Sequence, residues 1–311
     1  MGDKKEIEIV RHTMMNYLEI FLVEMTSRSP HSHDDMEIGL LLEGRLRLFT
    51  GSDCHELGAG DIYILNRNQV HSLLGCESQC RILAFQIHTD FYRRIDYELS
   101  FLKFDDHVVP MGRFHEILHR QLLDCAACYF SAAPHSGLKC SGILLDALHG
   151  LLTHMPYTLA SEKENVAAAD SALRLSRITA YISDHYREHI SLQEVADLEN
   201  ISPYHASHFI KKTLGISFQE YMNNLRFEHA LRLMENSALN LLDICLETGF
   251  SSSRYLNQMF MKNYGCSARA YMKLPEKPRF AQTPLPANTV QNRYAFERAG
   301  RILRGYVGTS Q

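Results

Sequence analysis

The stretch NLLDICLETGFSSSRYLNQMFMKNYGCSARAYM, residues 240–272, decides the fold because the chain carries it twice. SLQEVADLENISPYHASHFIKKTLGISFQEYM, residues 191–222, repeats its pattern. Leu192, Val195, Ala196 and Ile201 correspond to Leu241, Ile244, Cys245 and Phe250 at an offset of 49. After one inserted residue, Lys212, Gly215, Ser217 and Tyr221 correspond to Lys262, Gly265, Ser267 and Tyr271 at an offset of 50. Self-similarity at such a period marks one supersecondary unit used twice. Each copy predicts helix, turn, helix. In the first, Ser191 with Glu194 forms a capping box, Ser202 caps a second helix with Pro203 at its first position, and Gly215 closes that helix. In the second, Asn240 caps one helix, Gly249 takes the tight turn, and Ser251 is expected to cap the next. Between the copies, SFQEYMNNLRFEHALRLMEN predicts one uninterrupted amphipathic helix. From Ser217 to Glu235 it spans ~28 Å at 1.5 Å per residue, comparable with the roughly 34 Å between successive major grooves on one face of DNA.

On the helix expected over 203–214, Ala206, Phe209, Ile210 and Leu214 share one face and leave Tyr204, Ser207, His208, Lys211 and Lys212 outward. On its counterpart, Tyr255, Leu256, Met259, Phe260 and Tyr264 look inward or half inward, leaving Ser253, Arg254, Asn257, Gln258, Met261 and Lys262 outward. Arginine pairs bidentately with guanine, and asparagine or glutamine with adenine, at ~1–3 kcal/mol of discrimination per good contact. Lysines at these positions suit phosphates. Any small helical bundle exposes polar residues, so one such helix decides little. Two of them a fixed distance apart favour DNA reading.

GFSSSRYLNQMFMKNYGCSARAYM and its partner copy resemble the AraC/XylS family of bacterial transcription regulators. The shared features are an apolar helix, Gly-Phe, a Ser-rich cap, an aromatic-rich recognition helix, Lys-x-x-Gly and a final Tyr, over about 174–273. Ala268 stands where the family usually has Pro, and Met261 where it often has Lys. The resemblance implies one all-α DNA-binding domain of two helix-turn-helix units joined by a long helix. The partners it implies are double-stranded DNA, RNA polymerase and a second copy of the chain in a homodimer.

Ahead of this region the pattern changes. GLLLEGRLRLFTG, HELGAGDIYILN and CRILAFQIH alternate with period two between glycines, which implies an antiparallel sandwich or barrel. RFHEILHRQLLDCAACYF and SGILLDALHGLLTHM then have helical period around the breaker APHSG. Such a helix pair either covers the barrel or forms a dimer surface through Leu118, Leu122, Leu145, Leu148 and Leu152. YTLASEKENVAAADS, 157–171, is small and polar and suits a linker. The tail from 274 contains several prolines and then Arg298, Arg301 and Arg304, which predicts a flexible connector with a short basic stretch.

Within PHSHDDMEIGLLLEG, residues 30–44, the spacing His31-x-His33-x3-Glu37-x6-Gly44 resembles the first cupin motif. Gly60-x5-Asn66-x-Asn68-x2-His71 keeps the spacing of the second, with Asn in place of its usual Pro and Gly. The resemblance implies that His31, His33, Glu37 and His71 converge inside a barrel. As ligands they suit a divalent metal such as iron, manganese, zinc or nickel. As hydrogen-bonding groups they suit a small polar effector such as a sugar and require no cofactor. A catalytic centre is the third use of the same set.

The overall charge of -4 conceals an asymmetry. Residues 1–173 carry 15 basic and 24 acidic side chains, 174–273 carry 11 and 10, and 274–311 carry 6 and 2. The acidic front half is a poor partner for a polyanion, and the later segments are not. No apolar run approaches the ~18 residues of a membrane span. MGDKKEIEIVRH lacks the apolar core of a signal peptide, so a cytoplasmic location is expected. The eight cysteines are scattered, and Cys125-x-x-Cys128 has no second pair at zinc spacing, which predicts reduced thiols.

The expected architecture is α+β in two domains. It comprises a cupin (double-stranded β-helix) barrel over 1–110, a helical pair over 111–156 for dimerisation, a linker over 157–173, a double helix-turn-helix domain over 174–273 and a basic tail over 274–311. The expected function is a ligand-responsive transcription regulator, an activator of sugar or related catabolic genes and not an enzyme. The alternatives are a cupin metalloenzyme of dioxygenase or isomerase type with an appended binding module, and an oligomeric scaffold without sequence-specific DNA binding.

Overall fold

The computed structural model describes residues 15, 17–76, 79–131, 133–237, 239–274, 286 and 289–307. Strands β1 (Leu18–His31), β2 (Met36–Glu43), β3 (Arg45–Thr50), β4 (Asp53–Gly58), β5 (Ile62–Leu65), β6 (His71–Gly75) and β7 (Cys80–Ile87) form a curled antiparallel sheet in the order β4-β3-β6-β1-β7-β2-β5. β1 is its spine. Leu18, Ile20 and Leu22 point out of the curl, while Val23 and Met25 point in among Leu46, Leu48, Tyr63 and Leu73. A strand buried on both faces reads as a continuous apolar run and hides its period of two.

A short helix α1 (Asp90–Arg93) and strand β8 (Leu102–Phe104) lead to the long helices α2 (Arg113–Ser131) and α3 (Ser136–His154). These helices cover the outer face of the sheet. Leu118, Leu122 and Leu148 lie in one core with Leu18, Ile20 and Phe85, and Leu145 and Leu152 are half-buried. The leucines expected at a dimer surface are therefore largely spent inside the domain. All eight cysteines are free thiols.

The segment expected as a linker is ordered. Residues Tyr157–Leu159 form β9, paired with β8, and Ser161 with Glu164 makes a capping box that starts the 24-residue helix α4 (Glu162–His185). Its Glu, Lys and Ala residues are good helix formers, and the Ser-x-x-Glu signature outweighs their small, polar character.

Helices α5 (Leu192–Leu198), α6 (Pro203–Leu214), α7 (Phe218–Asn236), α8 (Leu241–Thr248), α9 (Ser253–Tyr264) and α10 (Ala268–Met272) build the repeat. Caps at Ser191, Ser202 and Asn240 are made as read, and Ser217 with Glu220 adds a capping box at the start of α7. At α9 the N-cap residue is Ser252 and not Ser251. Each unit has its own core, and α7 serves both. Phe218, Tyr221, Met222 and Leu225 enter the first, whereas Phe227, Ala230, Leu231 and Met234 enter the second. At 3.6 residues per turn these two sets lie on opposite sides of the helix. The helix is thus apolar on two faces and not on the single face expected.

At the middle of α7, His229 stacks on Tyr186 with ring centroids 4.1 Å apart, and its Nδ1 is 3.0 Å from the Tyr186 hydroxyl. Burial, reinforced by the nearby Arg232 and Arg187, pushes the imidazole down to about 4. The unfolded chain therefore takes up this proton at a higher pH than the folded one. Stability from this group is present above the ordinary histidine value and is lost as pH falls through 6.5 towards 4. Urea titrations between these limits are expected to show falling stability, and His229→Gln to flatten the slope.

The tail departs most from expectation. Residues 275–285 and 287–288 lie outside the described residues. Beyond them the chain returns to the first domain. Strand β10 (Val290–Arg293) pairs antiparallel with β1 in the register Val23↔Arg293 and Met25↔Gln291. Helix α11 (Phe296–Val307) packs on the core, with Tyr294, Ala299 and Leu303 buried there and Phe296 against Tyr129 and Phe130. One apolar stripe of α11 docks, and the arginines read as a basic stretch occupy its exposed face. Among the described residues, no helix is long and apolar enough to cross a membrane.

Candidate effector pocket and nucleic-acid interface

His31 ends β1, Glu37 lies near the start of β2 and His71 opens β6, so three strands bring their ends to one point inside the curl. His33 sits in the connection between β1 and β2. All four side chains are buried. The closest grouping is His33, Glu37 and His71, whose ligand atoms lie within 4.8 Å of one another. His31 falls outside that set, but its ring centroid is 4.1 Å from that of His71.

The three imidazoles share one arrangement. His31 Nδ1 faces the Ser29 carbonyl at 2.9 Å, His33 Nδ1 that of Asp35 at 2.8 Å, and His71 Nδ1 that of Gln69 at 2.9 Å. A carbonyl can only accept, so each Nδ1 carries its proton and donates. Nε2 is then the ring nitrogen left to meet the other groups of the pocket. The Nε2 of His71 is buried with no hydrogen-bond partner. The Nε2 of His33 lies 3.1 Å from Glu37 Oε2. With a proton on Nε2 the imidazole donates and the carboxylate accepts.

Glu37 is well held. Its Oε1 accepts from the Tyr63 hydroxyl at 2.9 Å, and its Oε2 accepts from Gln86 Nε2 at 3.2 Å. Burial would raise its pKa, but the hydrogen bond and charge of His33, the charge of His71 and the Tyr63 hydroxyl outweigh it and hold the carboxyl at about 2. Burial, with His33 nearby, pushes His71 down to about 4. Burial, then His71, Arg28 and His33, holds His31 well below the usual value. Burial and Glu37 keep Tyr63 a neutral donor. Imidazoles fixed in the Nδ1–H tautomer by backbone carbonyls, with Nε2 and a carboxylate converging, fit a divalent transition metal.

The two departures from the second cupin motif are each put to use. Asn68 takes the left-handed conformation at φ 56, which its amide side chain tolerates, and donates to Asp34 Oδ1 at 3.0 Å. Asn66 clamps Phe104, accepting from its amide and donating to its carbonyl, both at 2.9 Å. Sequence reasoning missed Tyr63 and Gln86. It also missed Gln291 and Arg293, which β10 adds to a cavity of ≈ 40 Å³ lined besides by Phe21, Arg28, His31 and Glu37. Arg293 lies over the Phe21 ring and pairs with the buried Glu19.

In the second domain, Tyr204, Ser207, His208, Lys211 and Lys212 are exposed on α6, and Ser253, Arg254, Gln258, Met261 and Lys262 on α9. Asn257 is the exception. It is half-buried, its Nδ2 donates to the Ser253 carbonyl and its Oδ1 accepts from the Ala268 amide at 2.9 Å. That carboxamide ties α9 to α10 and is not free to read a base. Ala268, where the resemblance leads one to expect Pro, supplies that amide, which a proline could not.

The chain thus joins two domains, a curled sheet closed on a histidine pocket and paired helix-turn-helix units. Residues 20–85 match the cupin domain family and residues 195–274 the helix-turn-helix domain family, so the chain carries one domain of each kind. An uncharacterized HTH-type transcriptional regulator of Escherichia coli, YijO, is 33% identical over 133 residues, covering 41% of this chain and 46% of that protein. A Staphylococcus aureus protein of the same description is 23% identical over 234 residues, 72% of this chain and 29% of that one. The chain thus spans less than half the length of these relatives. Among solved structures, ToxT from Vibrio cholerae aligns with 83% of this chain and 98% of its own at 13% identity and TM-score 0.33. The DNA-binding domain of AdpA, in complex with a target DNA, aligns with 32% of this chain and 89% of its own at 22% identity and TM-score 0.31.

Proposed function

We propose that the protein is a sequence-specific, double-stranded-DNA-binding transcription regulator whose barrel senses a small ligand. The observation that carries this reading is the pair of capped helices α6 and α9, each with an exposed polar face, held by cores on opposite sides of α7. One continuous helix joins the two reading faces. Arg254 and Gln258 are the candidates for base edges, and Lys211, Lys212 and Lys262 for phosphates. Action in the cytoplasm, as a homodimer that activates sugar-related genes with RNA polymerase, belongs to the same reading. The burial of the α2 and α3 leucines moves any dimer surface elsewhere.

The test is a pair of substitutions. Arg254→Ala is expected to weaken selected duplexes by ~5–100-fold and to relax preference at one position. Lys212→Ala is expected to weaken cognate and random duplexes alike and to lower the salt dependence. Equal losses on both kinds of DNA for Arg254→Ala would remove its assigned role.

A further inference from the structure

We infer that Cys125, Cys128 and Cys140 form an oxidation site between α2 and α3, at which hydrogen peroxide oxidises Cys128 and Cys140 then closes a reversible disulfide on it. This goes beyond the DNA-binding reading and does not depend on it. Cys125 and Cys128 stand one turn apart on the same side of α2, and Cys140 meets them from the second turn of α3. The side chains cross between the helices. Cys125 Sγ lies 3.7 Å from the Cys140 carbonyl oxygen, and Cys140 Sγ 3.5 Å from that of Cys125. Cys128 Sγ lies 3.5 Å from the carbonyl oxygen of Ser136, one turn before Cys140. The Cys140 thiol is in hydrogen-bonding contact with the thiols of both Cys125 and Cys128.

A buried cysteine that serves as a small apolar filler needs no second sulfur beside it, and still less a third. Among the described residues, the set of three ligand atoms lying within 4.8 Å of one another is that of His33, Glu37 and His71. The three sulfurs are therefore a line centred on Cys140 and not the closed triangle that would hold an ion. The cluster also lies where the returning tail docks, since Cys125 and Cys140 share one core with Ala299 and Leu303, and Cys128 packs on it.

The three thiols differ in access and in charge. Cys125 and Cys140 are buried, whereas Cys128 is half-buried and is the sulfur an oxidant reaches. The hydrogen bond from Cys125, then that from Cys128, outweighs burial and, with Lys139 nearby, holds Cys140 below the ordinary thiol range. The same hydrogen bond, then burial, raises Cys125, and burial keeps Cys128 protonated. Cys140 thus carries the negative charge of the cluster.

Oxidation proceeds in two steps. The Cys140 thiolate takes the Cys128 proton, the freed Cys128 sulfur attacks one peroxide oxygen, the O–O bond breaks, and the departing hydroxide recovers that proton as water. Cys128 is then a sulfenic acid and Cys140 again a thiolate. Cys140 attacks the Cys128 sulfur, the S–S bond forms, the S–O bond breaks, and a second hydroxide leaves. The two sulfurs lose one electron pair in total, and the peroxide gains it. Cys125 acts through Cys140, as the donor that keeps it ionised.

The test uses the full chain, reduced and then exposed to hydrogen peroxide at neutral pH, with free thiols capped and the peptides mapped by mass. A Cys128–Cys140 disulfide is expected, reversed by dithiothreitol and formed at roughly ten times the rate at which the exposed Cys54 is oxidised. Cys140→Ser is expected to stall at a Cys128 sulfenic acid that dimedone traps. Cys128→Ser, a change at a half-buried position, is expected to leave Cys125 and Cys140 reduced. Cys125→Ala is expected to move the pH profile of disulfide closure upward, and Cys125→Ser, which keeps a donor, to restore it. Oxidation of Cys54 ahead of the cluster overturns the inference. So does a Cys125–Cys140 disulfide that forms equally well in Cys128→Ser, or a Cys125→Ala profile identical to the parent's.

Discussion

Gly39→Ala is expected to destabilise the barrel by about 3–5 kcal/mol, combining overpacking with a buried polar group left unpaired. Gly39 has no unusual backbone angle. Its role is space, since a Cβ there would lie 2.0 Å from Cζ of Tyr63 and 2.4 Å from its hydroxyl. The strands place Gly39 directly opposite Tyr63, so the ring lies across the glycine and delivers its hydroxyl to Glu37. Alanine pushes the ring away and strips Oε1 of its donor. Urea unfolding of the full chain measures the loss. Tyr63→Phe, which keeps the ring and removes only the hydroxyl, is expected to cost ~1–3 kcal/mol. A Gly39→Ala variant as stable as the parent would mean that the ring does not lie where the structure has it.

Gly249→Ala is expected to disable the second reading unit. The residue closes α8 at φ 76, where any Cβ costs ~1–2 kcal/mol. The added carbon would also lie 2.6 Å from the Arg187 carbonyl oxygen and 2.8 Å from that of Tyr186, both backbone atoms at the end of α4. Neither can turn aside, because Arg226 Nε donates to the Tyr186 carbonyl at 2.7 Å and its Nη2 to that of Glu188 at 2.7 Å. Helix α8 must move off α4, for a total of ~3 kcal/mol with overpacking included. Preference among duplexes should drop at least tenfold. Gly265→Ala is the matched control. It has φ 67 but nothing within 4 Å of the added carbon, so only the backbone cost of ~1–2 kcal/mol applies. Equal effects of the two substitutions would show that contact with α4 contributes nothing.

Legibility in the sequence followed the range of the interactions involved. Helix caps and turns depend on residues within four positions of one another, and Ser191, Ser202, Asn240, Gly215 and Gly249 all serve as read. The convergence of His33, Glu37 and His71 was legible through the resemblance to the cupin motifs. What surrounds them was not, because Tyr63 meets Glu37 only through the pairing of β2 with β5, and Gln86 only through that of β2 with β7. Strand β1 escaped notice because helices cover one face and the barrel interior the other. In the same way, the two-sided burial of α7 follows from its place between two cores, and Asn257 turned inward because an unpaired amide at the start of α10 was within its reach. The docking of β10 and α11 had no local signal. Arginines spaced along α11 look like a solvated tail until Tyr294, Ala299 and Leu303 meet the barrel.

That return of the chain has a consequence for biogenesis. During synthesis the sheet, α2 and α3 emerge first and the whole DNA-binding domain follows, before the ribosome delivers the strand that pairs with the exposed stretch of β1. Until then Val23 to Ser27 present an unpaired edge beside an uncovered apolar surface. The nascent sensor is thus left waiting for its own far end, and chaperones should engage it longest in the interval when the reading helices are already folded.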